Sequence, residues 1–379
     1  MYEIIDRYID KLINGSNPEK PLWNIEFIRK GKEPKWNYID GCMMTSLLEL
    51  YYQSNDKKYL DFVKSFVDYF ISEDGSIKGY DINKHVLDDM CESRVLFDLY
   101  KLTKDEKYKR AIEYTYSQIG IQPRTFEGSF WHKDIYPNQV WLDGLFMAQV
   151  FYMRYETEFN GCKNYQDIKK QFETVRKNMF DENKHLYYHG YDASREAFWC
   201  DKVTGLSKNF WLRATGWYVV ALADTLGYMN EAIYEDFDFY KKLLKEAIDG
   251  LLQYQDKDSK MFWQVVDKQF KEGNYLETSG SSMIAYAILK GVRLNVLPER
   301  YRQIGLDIFD GICRRYVSEK NGDLNVGGIC LVAGLGPEKD RRRDGTYEYY
   351  ISEPVVENDA KGIGPLILAY TEVKKIMNN

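Results

Sequence analysis

Asp40, Asp88 and Asp143 each stand where a polar loop gives way to an apolar helical stretch, in YIDG, LDDM and WLDG. At the start of a helix an aspartate has an ordinary use: it caps, satisfying orphan backbone N–H groups, for about 1 kcal/mol. Three of them gathered at one end of a fold would have a second use. Carboxylates that lie together resist ionising together, which raises one of them toward service as a general acid. The positive end of the helix works in the opposite direction by favouring the anion.

Aromatic and basic side chains stand near the same boundaries. The run NFWLRATGWY puts Trp211, Arg213 and Trp217 at a helix start, with Arg213 and Trp217 on one face. An inward Arg between Trp rings suits a carboxylate lying on an aromatic wall, because the guanidinium makes paired hydrogen bonds. An Arg stacked on Trp for stability alone has the same signature. Of the 4 His, His132 and His189 lie in long loops. There they serve either to hydrogen-bond a polar ligand or as satisfied structural residues. His185 and His189 share i, i+4 spacing, but HLYYH lacks the glutamate of a zincin and reads as extended. No Cys or carboxylate completes a ligand spacing, so no metal and no cofactor are expected. GLGPEKDRRRDG lacks the spacing of a phosphate loop, and its Arg341 to Arg343 read as solvated or ion-paired. The serines of ETSGSSM have no nucleophile elbow around them and read as caps of the following helix.

A repeating plan must position these residues. Residues 47–59, LLELYYQSNDKKY, line up with 96–108, LFDLYKLTKDEKY. In each an apolar helix ends, a polar turn holding Asp follows, and a Tyr opens an amphipathic helix. Periodicity predicts helix pairs at 42–54 with 57–72, 88–102 with 105–118, and 141–158 with 164–180. Two more fall at 212–228 with 236–254 and 279–294 with 299–316. A last helix at 361–377 finds its partner in the amphipathic 2–14 segment from the other end of the chain. The first member of each pair is apolar nearly all round and so buried; the second carries one apolar stripe and so lies outside. Six inner and six outer helices in alternation describe an all-α fold, an (α/α)6 barrel, with an open stack of hairpins as the alternative. No Pro- or Gly-rich linker interrupts 1–379, so a single domain is expected. All inner helices run one way. The long loops leading into them therefore gather at one end, where function belongs.

Composition narrows the classes. Lys and Arg number 52 against 58 Asp and Glu, a net charge of -6, which offers no footprint for nucleic acid or an anionic membrane. No stretch approaches the roughly 20 apolar residues of a membrane span. The opening MYEIIDRYIDKLING lacks the apolar core of a signal peptide. The 6 Cys are scattered singly, so reduced thiols in a cytoplasmic protein are expected. With 32 Tyr, 19 Phe and 8 Trp against 9 Pro, the chain favours long helices and has flat faces to spare for stacking, for which sugars are the common flat ligand.

The blocks YPNQVWLDGLFMAQ, NFWLRATGWY, YLETSGSSM and GTYEYYISEPVVENDAKGIGP resemble the unsaturated rhamnogalacturonyl hydrolases, glycoside hydrolase family 105. The resemblance implies an (α/α)6 barrel and a cytoplasmic, metal-free enzyme. Its partner would be a small oligosaccharide with a 4,5-unsaturated galacturonate at the non-reducing end; oligomeric state is left unassigned. Asp143 matches the family's general acid/base and Asp88 its assisting carboxylate. His189, Trp211, Arg213 and Trp217 match positions that hold the uronate, and Asp40 and His132 fall at comparable entry positions. The resemblance also implies that Asp88 keeps Asp143 protonated. Another unsaturated uronide, such as a glucuronyl disaccharide, is the competing substrate, and a non-catalytic sugar-binding barrel is the competing class.

Overall fold

The repeat at 47–59 and 96–108 has a physical basis in how one helix stops and the next starts. Helix α1 spans Tyr2–Gly15, α2 Ile25–Lys30, α3 Tyr38–Ser54 and α4 Lys57–Asp68. Asn55 takes a left-handed conformation (φ 57°) that ends α3, and the Asp56 side chain then accepts from the Lys58 N–H to begin α4. The next hairpin repeats this punctuation. After α5 (Leu87–Met90) and α6 (Arg94–Thr103), Lys104 turns left-handed at φ 60° and Asp105 caps α7 (Glu106–Ile121). Tyr59 and Tyr108, at matching places, are both buried.

Apart from the short α15, which no predicted pair includes, the remaining helices follow the predicted pairs closely. They are α8 (Leu142–Gly144), α9 (Val150–Phe159), α10 (Tyr165–Met179), α11 (Leu212–Tyr228), α12 (Tyr234–Leu252), α13 (Thr278–Arg293), α14 (Tyr301–Tyr316), α15 (Tyr347–Ser352) and α16 (Ala360–Met377). This computed structural model describes residues 2–320 and 322–378. Two inner helices are broken near their starts: a 3-10 turn, Cys91–Ser93, joins α5 to α6, and a π-helical turn, Leu145–Gln149, joins α8 to α9.

The inner helices form a closed ring. α3 packs on α6 on one side and on α16 on the other; α16 meets α13, α13 meets α11, and α11 meets α9. The ring is completed where α5 touches the π turn ahead of α9. The fold is thus an (α/α)6 barrel, and the open-stack alternative is excluded. Closure uses both ends of the chain: the Tyr370 hydroxyl donates to the Tyr2 carbonyl at 3.2 Å, and Lys374 pairs with Asp6 at 2.8 Å.

Four two-stranded antiparallel ribbons sit in the connections. In chain order the strands are β1 (Gln139–Trp141), β2 (Phe180–Asp181), β3 (Leu186–Tyr187), β4 (Gly190–Asp192), β5 (Val317–Lys320), β6 (Asp323–Val326), β7 (Ile329–Cys330) and β8 (Val355–Val356). The ribbon that matters for the site is β1–β4, in which Trp141 lies opposite Gly190. A Cβ at Gly190 would fall 2.4 Å from Leu335 and 3.1 Å from the Trp141 ring, so only glycine lets these three meet.

Candidate active site

The three aspartates are not caps. Asn37, Val86 and Trp141 occupy the cap positions of α3, α5 and α8, and each aspartate lies inside the first turn that follows. Freed from capping, Asp88 and Asp143 project into the mouth of the barrel, and each faces one histidine at 3.3 Å: Asp88 faces His132 and Asp143 faces His189.

The backbone explains both pairings. Antiparallel register across β1–β4 sets Trp141 against Gly190, and the Leu142 N–H continues the ladder to the His189 carbonyl at 3.1 Å. The residues just beyond, Asp143 on one strand and His189 on the other, are thereby brought together. His132 is fixed similarly: its N–H donates to the Gln139 carbonyl at 2.9 Å, and its carbonyl accepts from the Leu87 N–H at 3.3 Å, beside Asp88. Gly144 leaves room for the imidazole, since a Cβ there would come within 3.3 Å of His132 Nδ1.

Trp141 stands between the two pairs. His132 stacks on it with centroids 4.4 Å apart, and His189 meets its edge at 5.5 Å. The loop 331–345 leans on the same ring through Gly334 and Leu335, which gives that long segment its place as a wall of the mouth.

The two carboxylates have unlike surroundings. Burial pushes Asp88 up, but the Lys133 ammonium, 2.5 Å away, more than offsets it and holds the group below the usual carboxylate range. Asp88 is a lysine-paired anion, and Lys133 is a site residue that sequence reading passed over. Asp143 has only His189, with Asp143 Oδ2 and His189 Nε2 both buried and neither engaged in an aligned hydrogen bond among the described residues. Such stranded groups cost about 1–3 kcal/mol each unless something completes them. They mark the position where a ligand atom or a water would bond.

His189 meets Tyr350 on its other side. Tyr350 lies 2.7 Å from Nδ1, and burial raises this tyrosine well above its ordinary range, keeping its proton on. In the tautomer where Tyr350 donates to Nδ1, the imidazole proton sits on Nε2, toward Asp143. His132 is pushed down to about 4 by burial, so it is neutral at ordinary pH.

Trp211 and Trp217 each sit in an aromatic cluster. Trp211 packs on His189 at 4.8 Å and lies parallel to Tyr350 at 6.0 Å, with its N–H given to Gln264 at 3.2 Å. Trp217 stacks on Phe146 at 4.3 Å and meets Tyr38 edge-on at 6.5 Å, forming a floor. Arg213 is buried and already engaged: Nε donates to Ser279 Oγ at 2.7 Å, one terminal nitrogen donates to the Cys330 carbonyl, and Glu277 lies 3.6 Å away. Its other terminal nitrogen has no hydrogen-bond partner among the described residues. Glu277, not a serine, caps α13 by accepting from the Gly280 N–H, which corrects the reading of ETSGSSM.

Asp40 does not join this group. Its carboxylate accepts from Trp23 Nε1 and Asn37 Nδ2, both at 2.8 Å, and ties the 22–24 segment to the start of α3. Burial pushes it up to about 6 against those hydrogen bonds. It is a positioning residue, and Asp40→Ala should strand two donors and cost roughly 2–5 kcal/mol of stability. Because the folded group holds its proton more tightly than the unfolded one, its contribution is largest at acid pH and fades as pH rises through 6. Denaturant titrations of wild type and variant on either side of that pH check both points; equal midpoints would refute the assignment.

A cavity of about 270 Å³ extends the mouth outward from Tyr38, Asp88 and Lys133 toward Lys35 and Asn37, wide enough for part of a sugar chain. Among the described residues no group of three or more His, Cys, Asp or Glu side chains is placed to hold a metal ion. No described helix is long and apolar enough to cross a membrane.

A family model described as Glycosyl Hydrolase Family 88 matches residues 5–377. The chain belongs to that family. Within the family it is 42% identical to the C. acetobutylicum ATCC 824 glycoside hydrolase from family 105, covering 96% of this chain and 99% of that one, with a TM-score of 0.88. The expected resemblance to family 105 is thereby borne out. The unsaturated rhamnogalacturonyl hydrolase YesR of Bacillus subtilis is 27% identical over 269 residues, 68% of this chain and 72% of YesR. The unsaturated glucuronyl hydrolase of Bacillus sp. GL1 shares the fold at a TM-score of 0.64 and 13% identity, over 89% of this chain and 86% of its own. Like other members of Family 88, this chain is a glycoside hydrolase.

Proposed function

We propose that this hydrolase releases a terminal 4,5-unsaturated galacturonate from short rhamnogalacturonan-derived oligosaccharides by hydrating the sugar's double bond. One observation carries the reading. The mouth holds two carboxylates in different circumstances, a half-buried Asp88 fixed as an anion by Lys133 and a buried Asp143 facing His189. The 27% identity to YesR supports the rhamnogalacturonan substrate over a glucuronyl one.

A 4,5-unsaturated uronate is a vinyl ether. Protonated Asp143 gives its proton to C4; the π electrons form the new C–H bond and positive charge develops on C5 and the ring oxygen. The Asp88 carboxylate stabilises that charge without needing to titrate. Water then adds to C5 and returns a proton to Asp143. The hemiketal opens by breaking the bond from C5 to the ring oxygen, C5 becomes a ketone, and the aglycone leaves from C1 with its own oxygen. His189, held by Tyr350, orients Asp143 and takes up its negative charge while the water adds. Trp211 and Trp217 hold the flat ring, and the free edge of Arg213 receives its carboxylate. The scattered, free cysteines fit action in the cytoplasm.

The deciding measurement is a panel of lyase-generated disaccharides followed by loss of the conjugated alkene's ultraviolet absorbance. Rhamnogalacturonan disaccharide should turn over best; equal or better turnover of a glucuronyl disaccharide would overturn the substrate. In heavy water the product should carry one non-exchanging deuterium at C4 with a single facial preference. A released sugar that retains its alkene and an unlabelled C4 would overturn the chemistry.

A further inference from the structure

At the end of the barrel away from the mouth, a second cavity of about 260 Å³ lies between α3, α6, α9 and α11. Its acids are all engaged. Asp98 takes both terminal nitrogens of Arg154, at 2.7 and 2.8 Å, and the Tyr52 hydroxyl at 3.0 Å. Glu158 accepts Arg154 Nε at 2.7 Å, and Glu49 accepts Lys375 at 3.0 Å.

The donors are not all engaged. Arg94 is only 4% exposed, yet its hydrogen bonds are long: 3.3 Å from Nε to the Cys91 carbonyl and 3.4 Å from one terminal nitrogen to Asp224. Asp224 is held more closely by Lys290 at 2.7 Å and Tyr286 at 2.8 Å. Thr45 Oγ1 is buried with no partner, and Lys101, at the outer rim, makes no ion pair among the described residues. A buried guanidinium with only long contacts is costly unless an acceptor completes it. What the cavity lacks is a free acceptor for these donors.

We infer that this cavity is a second binding site, for a small anion whose carboxylate or phosphate head lies between Arg94, Thr45 and Lys101. It is separate from the mouth but linked to it. The Arg94 guanidinium lies 4.2 Å over the Phe146 ring, and Phe146 stacks on Trp217, the floor of the active site. An occupant that draws Arg94 toward itself acts on that floor through two ring contacts. The inference does not depend on which sugar the mouth accepts.

Calorimetric titration of the whole protein tests it, with inorganic phosphate in one arm and lactate in the other. Saturable binding of at least one probe is expected, and which one binds identifies the head group. Thr45→Val and Lys101→Glu should each weaken it by about tenfold or more. Lys133→Gln, at the opposite end, should leave it unchanged. Arg94→Gln should abolish binding, but a buried Arg can be needed for folding, so the Thr45 and Lys101 variants carry the test. Failure of both probes to bind wild type would overturn the site. So would binding that survives both variants, or binding lost in Lys133→Gln.

Discussion

Asp143→Asn should lower kcat by several orders of magnitude while the protein still folds and still binds its oligosaccharide. The asparagine keeps the shape of the side chain at the start of α8 but has no proton to give to carbon. Nothing else in the mouth is placed to take over. His189 is tied to Tyr350 at 2.7 Å, and Asp88 is an anion held by Lys133. On the proposed reading substrate affinity resides in different groups, Trp211, Trp217 and Arg213, so KM should move little. The check is steady-state kinetics beside a binding titration with the same disaccharide; turnover within tenfold of wild type would remove Asp143 from its role.

Lys133→Met should produce the second-largest loss, on the order of 100-fold in kcat/KM near neutral pH, with a displaced pH profile. Asp88 ionises below its ordinary range in the native protein because Lys133 outweighs the effect of burial. Its charged form thus persists into acid, and activity that needs the anion fails only as pH drops through that low value. Without the ammonium, only His132 and Lys35 oppose burial and the carboxyl rises. Protonation then sets in at higher pH, so the acid limb of kcat/KM should move upward. Lys133→Arg retains the charge and should recover most of the activity and the original limb. An unmoved acid limb in Lys133→Met would mean that Asp88 is not the group whose ionisation matters. The same substitution leaves a buried carboxylate unpaired, so lower thermal stability is expected alongside the kinetic effect.

The chemistry-bearing residues differ in how far the sequence alone revealed them. Asp88 and Asp143 were legible because an acid at the start of an apolar helix is a local pattern, and the inner helices of a barrel all start at one end. Asp40 has the same pattern and a different job. What separates it is Trp23, whose indole claims the carboxylate from a segment outside the repeat, and no local feature announces that contact. Lys133 is adjacent to His132 in the chain, yet its importance comes wholly from standing 2.5 Å from Asp88. Tyr350 reaches His189 from 161 residues away. Arg213 is buried as its place between two Trp suggests, but its partners Ser279, Glu277 and Cys330 come from elsewhere in the chain. The helices themselves were predictable to within a few residues because buried and striped periodicity is written locally. The π turn after Asp143 was not, since a one-residue change in winding leaves the hydrophobic pattern almost unaltered.

Closure of the ring by its two ends has a consequence for how the protein is made. Asp6 and Lys374 are 368 residues apart in the chain, and α3 packs directly on α16. During synthesis α3 emerges long before α16, with an apolar face that α16 alone covers on that side. The growing chain therefore carries an uncovered flank until α16 has been made, a long-range contact of the kind that slows folding and invites association with other chains. A cell that makes this enzyme in quantity has to shield that flank until α16 emerges, which makes the half-finished barrel, more than the finished one, the form that depends on chaperones.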